Sequence, residues 1–151
     1  MNRRLFLTSV ALIAIAPQLR AESFEITLTE AEWRARLTPA QFDVLRLENT
    51  ESAGSSPLND EHRAGQFICA GCDLHLYDAS TKYDSGTGWP SFYAPIKGAV
   101  GTKDDPGLFG SRTEVHCRRC GGHLGHVFDD GPAPTGKRYC MNGLALKFVA
   151  A

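Results

Sequence analysis

Two textures of apolar and polar positions divide the chain. Between residues 29 and 47 the apolar residues Trp33, Leu37, Phe42, Val44 and Leu45 are spaced for one buried helical stripe each. Thr29-Glu30-Ala31-Glu32 has the form of a capping box, and Thr38-Pro39-Ala40-Gln41 repeats it with proline at the first helical position. The pattern predicts two short helices, over 29–37 and 38–47. Residues 48–65 are polar and turn-rich, and read as a connecting loop. From Gln66 onward the apolar pieces are short: QFIC, RTEVHC, GHVF and LALKFV. Glycine- and proline-rich stretches separate them, among them SGTGWP, KDDPGLFG and DGPAPTG. That alternation predicts a meander of short strands and a mainly β, antiparallel domain.

The N-terminus follows neither pattern. Arg3 and Arg4 precede a predominantly apolar run from Leu5 to Ala16, and small residues surround Ala21. The run is too short to span a bilayer, and predicts a signal peptide over residues 1–21 that leaves a domain over 22–151. Asn2 to Leu7 resembles a twin-arginine signal of bacterial export, so the expected compartment is the periplasm. Removing 1–21 takes away Arg3, Arg4 and Arg20 but no acid, leaving 13 basic and 17 acidic residues. That acidic balance, without basic runs, argues against a nucleic-acid surface.

Four of the five cysteines form two C-x-x-C pairs, Cys69/Cys72 and Cys117/Cys120, with 44 residues between them. Two such turns can supply four thiolates in the tetrahedral array of a structural zinc ion. In an oxidising compartment they could instead form disulfides or a redox couple. The matched spacing favours zinc. A closed four-sulfur site has no open position, so the ion would hold the fold rather than catalyse.

Cys140 remains, in Arg138-Tyr139-Cys140-Met141-Asn142. On a strand, Arg138, Cys140 and Asn142 share a face, with Leu144, Leu146 and Phe148 continuing the parity and Gly143 a bulge. A guanidinium beside a thiol favours the reactive thiolate, and an asparagine amide can hydrogen-bond a polar ligand. A lone cysteine is more often inert core. Two further clusters shift that balance. His123 and His126, followed by Asp129 and Asp130, supply groups that titrate near neutrality. Ser85 to Phe92 holds Trp89 between glycines and Pro90, which suits a positioned apolar wall. His62, His75 and His116 lack such company and are expected on the surface or in loops.

The runs CAGC, YDSGTGWPSFYAPI, RTEVHCRRCGGHLGHVFDDGP and RYCMNGLALKF, in this order, resemble the peptide-methionine (R)-S-oxide reductases, the B-type methionine sulfoxide reductases. The likeness spans residues 24–149. It implies two antiparallel β-sheets with peripheral helices and a four-cysteine zinc site at Cys69, Cys72, Cys117 and Cys120. It also implies repair of oxidised proteins or peptides carrying methionine-R-sulfoxide, using a thiol reductant, either a thioredoxin-like protein or a small thiol; the exported domain is expected to be a monomer. Cys140 would attack the sulfoxide sulfur and become a sulfenic acid. His123, His126 and Asn142 would hold and help protonate the oxygen, with Asp130 supporting the imidazoles and Arg138 favouring the thiolate. Trp89 and Phe92 would contact the substrate. Many members carry a resolving cysteine two residues before the tryptophan, where this chain has Thr87. The competing expectations are a non-catalytic zinc-binding interaction module and a C-x-x-C thiol–disulfide oxidoreductase.

Overall fold

The computed structural model describes residues 23–107 and 110–151. The expected signal peptide over 1–21 lies outside the described residues. Both capping boxes form. Helix α1 (Glu30–Arg36) opens with Thr29 Oγ1 accepting from Glu32 N at 3.3 Å while Glu32 accepts from Thr29 N at 2.7 Å. Helix α2 (Pro39–Leu47) uses Thr38 and Gln41 in the same way. The helices bury Trp33, Phe42, Val44 and Leu45 against the sheets.

Nine strands follow among the described residues: β1 (Gly65–Cys69), β2 (His75–Asp78), β3 (Lys82–Tyr83), β4 (Ser91–Phe92), β5 (Val100–Gly107), β6 (Gly110–Cys117), β7 (His123–Phe128), β8 (Arg138–Met141) and β9 (Leu146–Ala150). They make a three-stranded sheet, β2-β1-β9, and a six-stranded sheet, β3-β4-β8-β7-β6-β5. Every pairing is antiparallel. The mainly β expectation with two sheets and leading helices therefore holds.

Three local readings need correction. Lys103 to Gly107, expected in a turn, forms the second half of β5. That strand is the outer edge of its sheet, where Pro106 can face away from the single partner strand without losing a ladder bond. The run from Arg138 to Phe148 is two strands rather than one. A 3-10 turn over Gly143–Ala145 breaks it, so that β8 belongs to the larger sheet and β9 to the smaller. Glu51, a buried carboxylate from the long loop, accepts from Gly143 N at 2.6 Å and Leu144 N at 2.9 Å. Gly143 has no room for a side chain, since a Cβ there would fall 1.9 Å from Ser56 Oγ. His116 is buried in β6 rather than on the surface, with its ring edge-on to Phe24 at 5.6 Å.

The core is centred on Phe67, Leu76, Tyr77, Phe92, Val115, Leu124 and Met141, all fully buried. Phe92 belongs here and not to a substrate surface. On β4, Ser91 lies opposite Cys140 and Phe92 opposite Tyr139, so the alternation of the strand turns Phe92 inward. Its ring stacks on Tyr77 at 4.3 Å between centroids. Phe92→Ala is accordingly expected to destabilise the protein by about 3–5 kcal/mol. A urea unfolding midpoint close to the wild-type value would contradict this placement.

Candidate active site

The register of the larger sheet sets one row of residues across five of its pairings. Tyr83 lies opposite Ser91, Ser91 opposite Cys140, Cys140 opposite His126, His126 opposite Glu114, and Glu114 opposite Lys103. Directly opposed residues project to the same side at about 5 Å per step. Cys140 opens on a pocket of about 140 Å³, lined by Trp89, His126, Phe128 and Asn142, with Thr50, Gly125 and Arg112 completing it.

The walls are held from behind. Trp89 donates its indole N–H to the Glu51 carbonyl at 3.1 Å. Asn142 is 3% exposed, with Nδ2 donating to Leu124 O at 3.1 Å and Oδ1 accepting from Glu51 N at 3.0 Å. An amide nitrogen has two protons, so one remains for a ligand in the pocket. Glu51 thus ties Trp89, Asn142 and the 3-10 turn together through backbone and side chain.

The histidines differ in role. His126 lines the pocket, and its Nε2 lies 2.8 Å from Asp105 Oδ2, which also pairs with Arg112 at 2.7 Å. His123 is 3% and Glu114 3% exposed; their Nδ1 and Oε1 atoms are 2.9 Å apart. Glu114 in turn meets Lys103 at 2.8 Å, and Lys103 reaches Glu48 at 2.7 Å. His123 stands edge-on behind His126, with ring centroids 5.4 Å apart, rather than lining the pocket as expected. Burial holds both imidazoles below the ordinary histidine range; for His126 the Asp105 carboxylate opposes that effect and Arg112 adds to it.

Asp130 does not support the imidazoles. It follows the end of β7, where Phe128 lies opposite Arg138, and makes two bonds of 2.9 Å to that guanidinium. Arg138 also lies 4.3 Å over the Phe128 ring. Burial pushes the Cys140 thiol up, while the Thr87 hydroxyl at 3.9 Å and Arg138 pull it down without reversing the direction. Asp130 raises it, so the partner of Arg138 offsets part of the effect expected of the arginine.

Several site residues lie outside the sequence motifs singled out above. Asp105 sits in a segment that reads as a turn. Glu114 and Phe128 share strand parity with Arg112 and His126, a signal that is present. Thr50 and Glu51 lie in a polar loop that carries no pattern.

The four remaining cysteines converge. Their sulfurs all lie within 4.8 Å of one another, with Cys69–Cys120 at 3.7 Å and Cys72–Cys117 at 3.5 Å, and none is disulfide-bonded. A tetrahedron with metal–sulfur bonds of about 2.3 Å has edges near 3.8 Å, so the cluster fits a metal ion. Cys69 and Cys72 come from the end of β1 in the smaller sheet and the turn after it, Cys117 and Cys120 from the end of β6 in the larger and its turn. Arg46 and Arg119 brace the two loops by donating to the carbonyls of Cys120 and Cys72 at 3.0 and 3.3 Å.

The SelR domain family matches residues 37–150 of this chain. The chain belongs to this family, the methionine sulfoxide reductases B. It is 46% identical over 127 residues to the peptide methionine sulfoxide reductase MsrB of Leptospira interrogans, covering 83% of this chain and 97% of that protein. It is 52% identical over 127 residues to the protein of the same name from Pseudomonas putida, covering 82% and 94%. The MsrB of Methanosarcina barkeri is 51% identical over 121 residues, covering 80% and 85%. Membership places the chain among enzymes rather than non-catalytic metal-binding modules.

The charges around His126 give opposite expectations for two neutralising substitutions. Asp105→Asn should lower the His126 midpoint further, because the opposing carboxylate is lost, and Arg112→Gln should raise it. Proton NMR titration of the imidazole signals reads both. Shifts of the same sign would refute the arrangement.

Proposed function

We propose that the protein reduces methionine-R-sulfoxide in oxidised proteins or peptides, with Cys140 as the nucleophile. The observation that carries this is the placement of Cys140 in the lining of a pocket together with Trp89, Phe128, His126 and Asn142. The apolar walls suit the methyl group and side chain of methionine. The free Nδ2 proton of Asn142 suits the sulfoxide oxygen.

The chemistry balances with one thiol. The Cys140 sulfur attacks the sulfoxide sulfur, which is reduced to the thioether as the oxygen passes to Cys140. Cys140 is oxidised by two electrons to a sulfenic acid, and the thiol proton ends on that oxygen. His126 can carry the proton between them. Its neutral form donates from Nε2 to Asp105 and leaves Nδ1 bare, so it first accepts the thiol proton and then, as imidazolium, gives it up. Arg138, held by Asp130, favours the thiolate electrostatically. His123, behind His126, positions it.

Thr87 stands where a resolving cysteine would be, and the other four cysteines are in the metal cluster. An external thiol therefore attacks the sulfenic acid, releasing water and forming a mixed disulfide, and a second thiol frees Cys140. A small thiol or a thioredoxin-like protein fits that requirement. Cys69, Cys72, Cys117 and Cys120 would hold a zinc ion, which would supply cohesion rather than chemistry because sulfur would fill all four positions. The basic start and apolar run of residues 1–21 support export to the periplasm, by a twin-arginine-like route, of a monomeric domain over 22–151. Among the described residues no helix is long and apolar enough to cross a membrane.

Without reductant, excess R-sulfoxide should release one methionine per chain and leave a dimedone-reactive Cys140, while the S epimer and Cys140→Ser give neither product. Thiol with neutral imidazole and thiolate with imidazolium hold the same number of protons. The single-turnover rate should therefore be level across neutral pH. It should fall below the ordinary histidine midpoint of about 6.5, and again above the ordinary thiol midpoint of about 8.5, following the downward shift of His126 and the upward shift of Cys140. His126→Asn should remove the acid limb and slow the step by about 10²- to 10⁴-fold. An internal disulfide after turnover would sink the one-thiol scheme.

Elemental analysis should find one zinc per chain. Cys72→Ser should lose it and melt at a markedly lower temperature. Metal-free protein with an unchanged melting temperature would remove zinc from the proposal.

A further inference from the structure

Behind Cys140 three hydroxyl side chains form a continuous path. Thr87 Oγ1 lies 3.9 Å from Cys140 Sγ, Ser85 Oγ lies 2.8 Å from Thr87 Oγ1, and Ser91 Oγ lies 2.7 Å from Ser85 Oγ. The path ends at the Trp89 carbonyl, to which Ser91 Oγ donates at 3.0 Å. Ser91 is 1% exposed, so its interior end is shielded from water.

Each hydroxyl has a single proton, and a carbonyl can only accept. With the Ser91 proton on the Trp89 carbonyl, Ser91 must accept from Ser85, and Ser85 must accept from Thr87. The Thr87 proton is then used, and what faces the sulfur is an acceptor. In this orientation the chain welcomes a thiol, which donates into it. A thiolate has no proton to give and presents lone pairs to lone pairs. Thr87 must turn its proton to the sulfur, and the 2.8 and 2.7 Å contacts then remain hydrogen bonds only if the other two follow, so that Ser91 donates to Ser85 and Ser85 to Thr87. The Trp89 carbonyl then loses its donor.

We propose that Thr87, Ser85 and Ser91 act as one two-position hydroxyl chain that turns with the ionisation of Cys140, with the Trp89 carbonyl biasing it toward the thiol. No proton travels along it. The thiol proton leaves on the pocket side, toward His126, and the hydroxyls only rotate about their C–O bonds. Thr87 is thereby a positioning residue that does more than fill the place of a second cysteine. The proposal rests on Cys140 reacting as a thiolate.

The charged and titratable groups facing Cys140 are Arg138 on β8 with its partner Asp130, His126 on β7, Arg112 on β6 and Tyr83 on β3. Among the described residues none of them hydrogen-bonds to Thr87, Ser85 or Ser91. The two ends of the chain can therefore be altered without removing a charge.

The ends have opposite effects. Thr87→Val removes the group that donates to the thiolate and should raise the Cys140 midpoint by about one pH unit. Ser91→Ala removes the anchor on the carbonyl, frees Ser85 and Thr87 to point at the sulfur, and should lower the midpoint. Thr87→Ser should restore the wild-type value. The measurement is the rate of iodoacetamide modification at Cys140 across a pH series, read by peptide mass spectrometry on metal-replete protein. Thr87→Ala carries the same expected sign and replaces the valine variant if that one loses its metal. Shifts of the same sign at the two ends, or an unmoved midpoint in either, overturn the proposal. Because no sulfoxide is present, the result stands apart from the turnover experiments that test the reductase reading.

Discussion

The pairing of β8 with β7 governs the rest of the molecule. It depends on a close approach at Gly125, where a Cβ would fall 2.1 Å from the Cys140 carbonyl oxygen. Any side chain at 125 would push the strands apart just where Cys140 is held opposite His126. A slip of one residue would be worse, since strand alternation would exchange Cys140 for Tyr139 or Met141 on the pocket face. The same alternation sends Met141 into the core, where Tyr77 donates its hydroxyl to the methionine sulfur at 3.1 Å. Core packing and site geometry are two faces of one register.

The second constraint is the break after Asn142. By turning from one sheet to the other over Gly143–Ala145, the chain joins the pocket to the smaller sheet within a few residues. Glu51 stabilises that corner with its carboxylate and reaches Asn142 and Trp89 with its backbone. The four-cysteine cluster links the same two sheets at another place. A small domain with a limited core gains from such a cross-link. With a metal ion bound at the cysteines, metal–sulfur bonds at one point and hydrogen bonds at the other would restrain the sheets from sliding.

Much of this is legible in the chain itself. Both helices, their capping boxes, the strands carrying RTEVHC and GHVF, and the convergence of the cysteine pairs follow from local chemistry. The misreadings share a cause. Asp105 is hidden because proline and glycine near it signal a turn, and only its position at a sheet edge makes the strand tolerable. Closeness to Trp89 in sequence points Phe92 at the pocket, whereas two-residue periodicity sends it the other way. Asp130 follows the histidines and so suggests itself as their support, yet the hairpin brings Arg138 to it first. Partners chosen by sheet register, not by sequence distance, cannot be read from one strand alone.

Strand β5 carries a further consequence. Lys103, Asp104, Asp105 and Pro106 occupy the free margin of the larger sheet, and the opposite margin, β3, is two residues long. Charges, a proline and brevity all discourage an extended chain from adding itself as another strand. The sheet that carries the pocket therefore offers no long main-chain ladder at either margin, and the open edges lie on the smaller sheet, at β2 and β9.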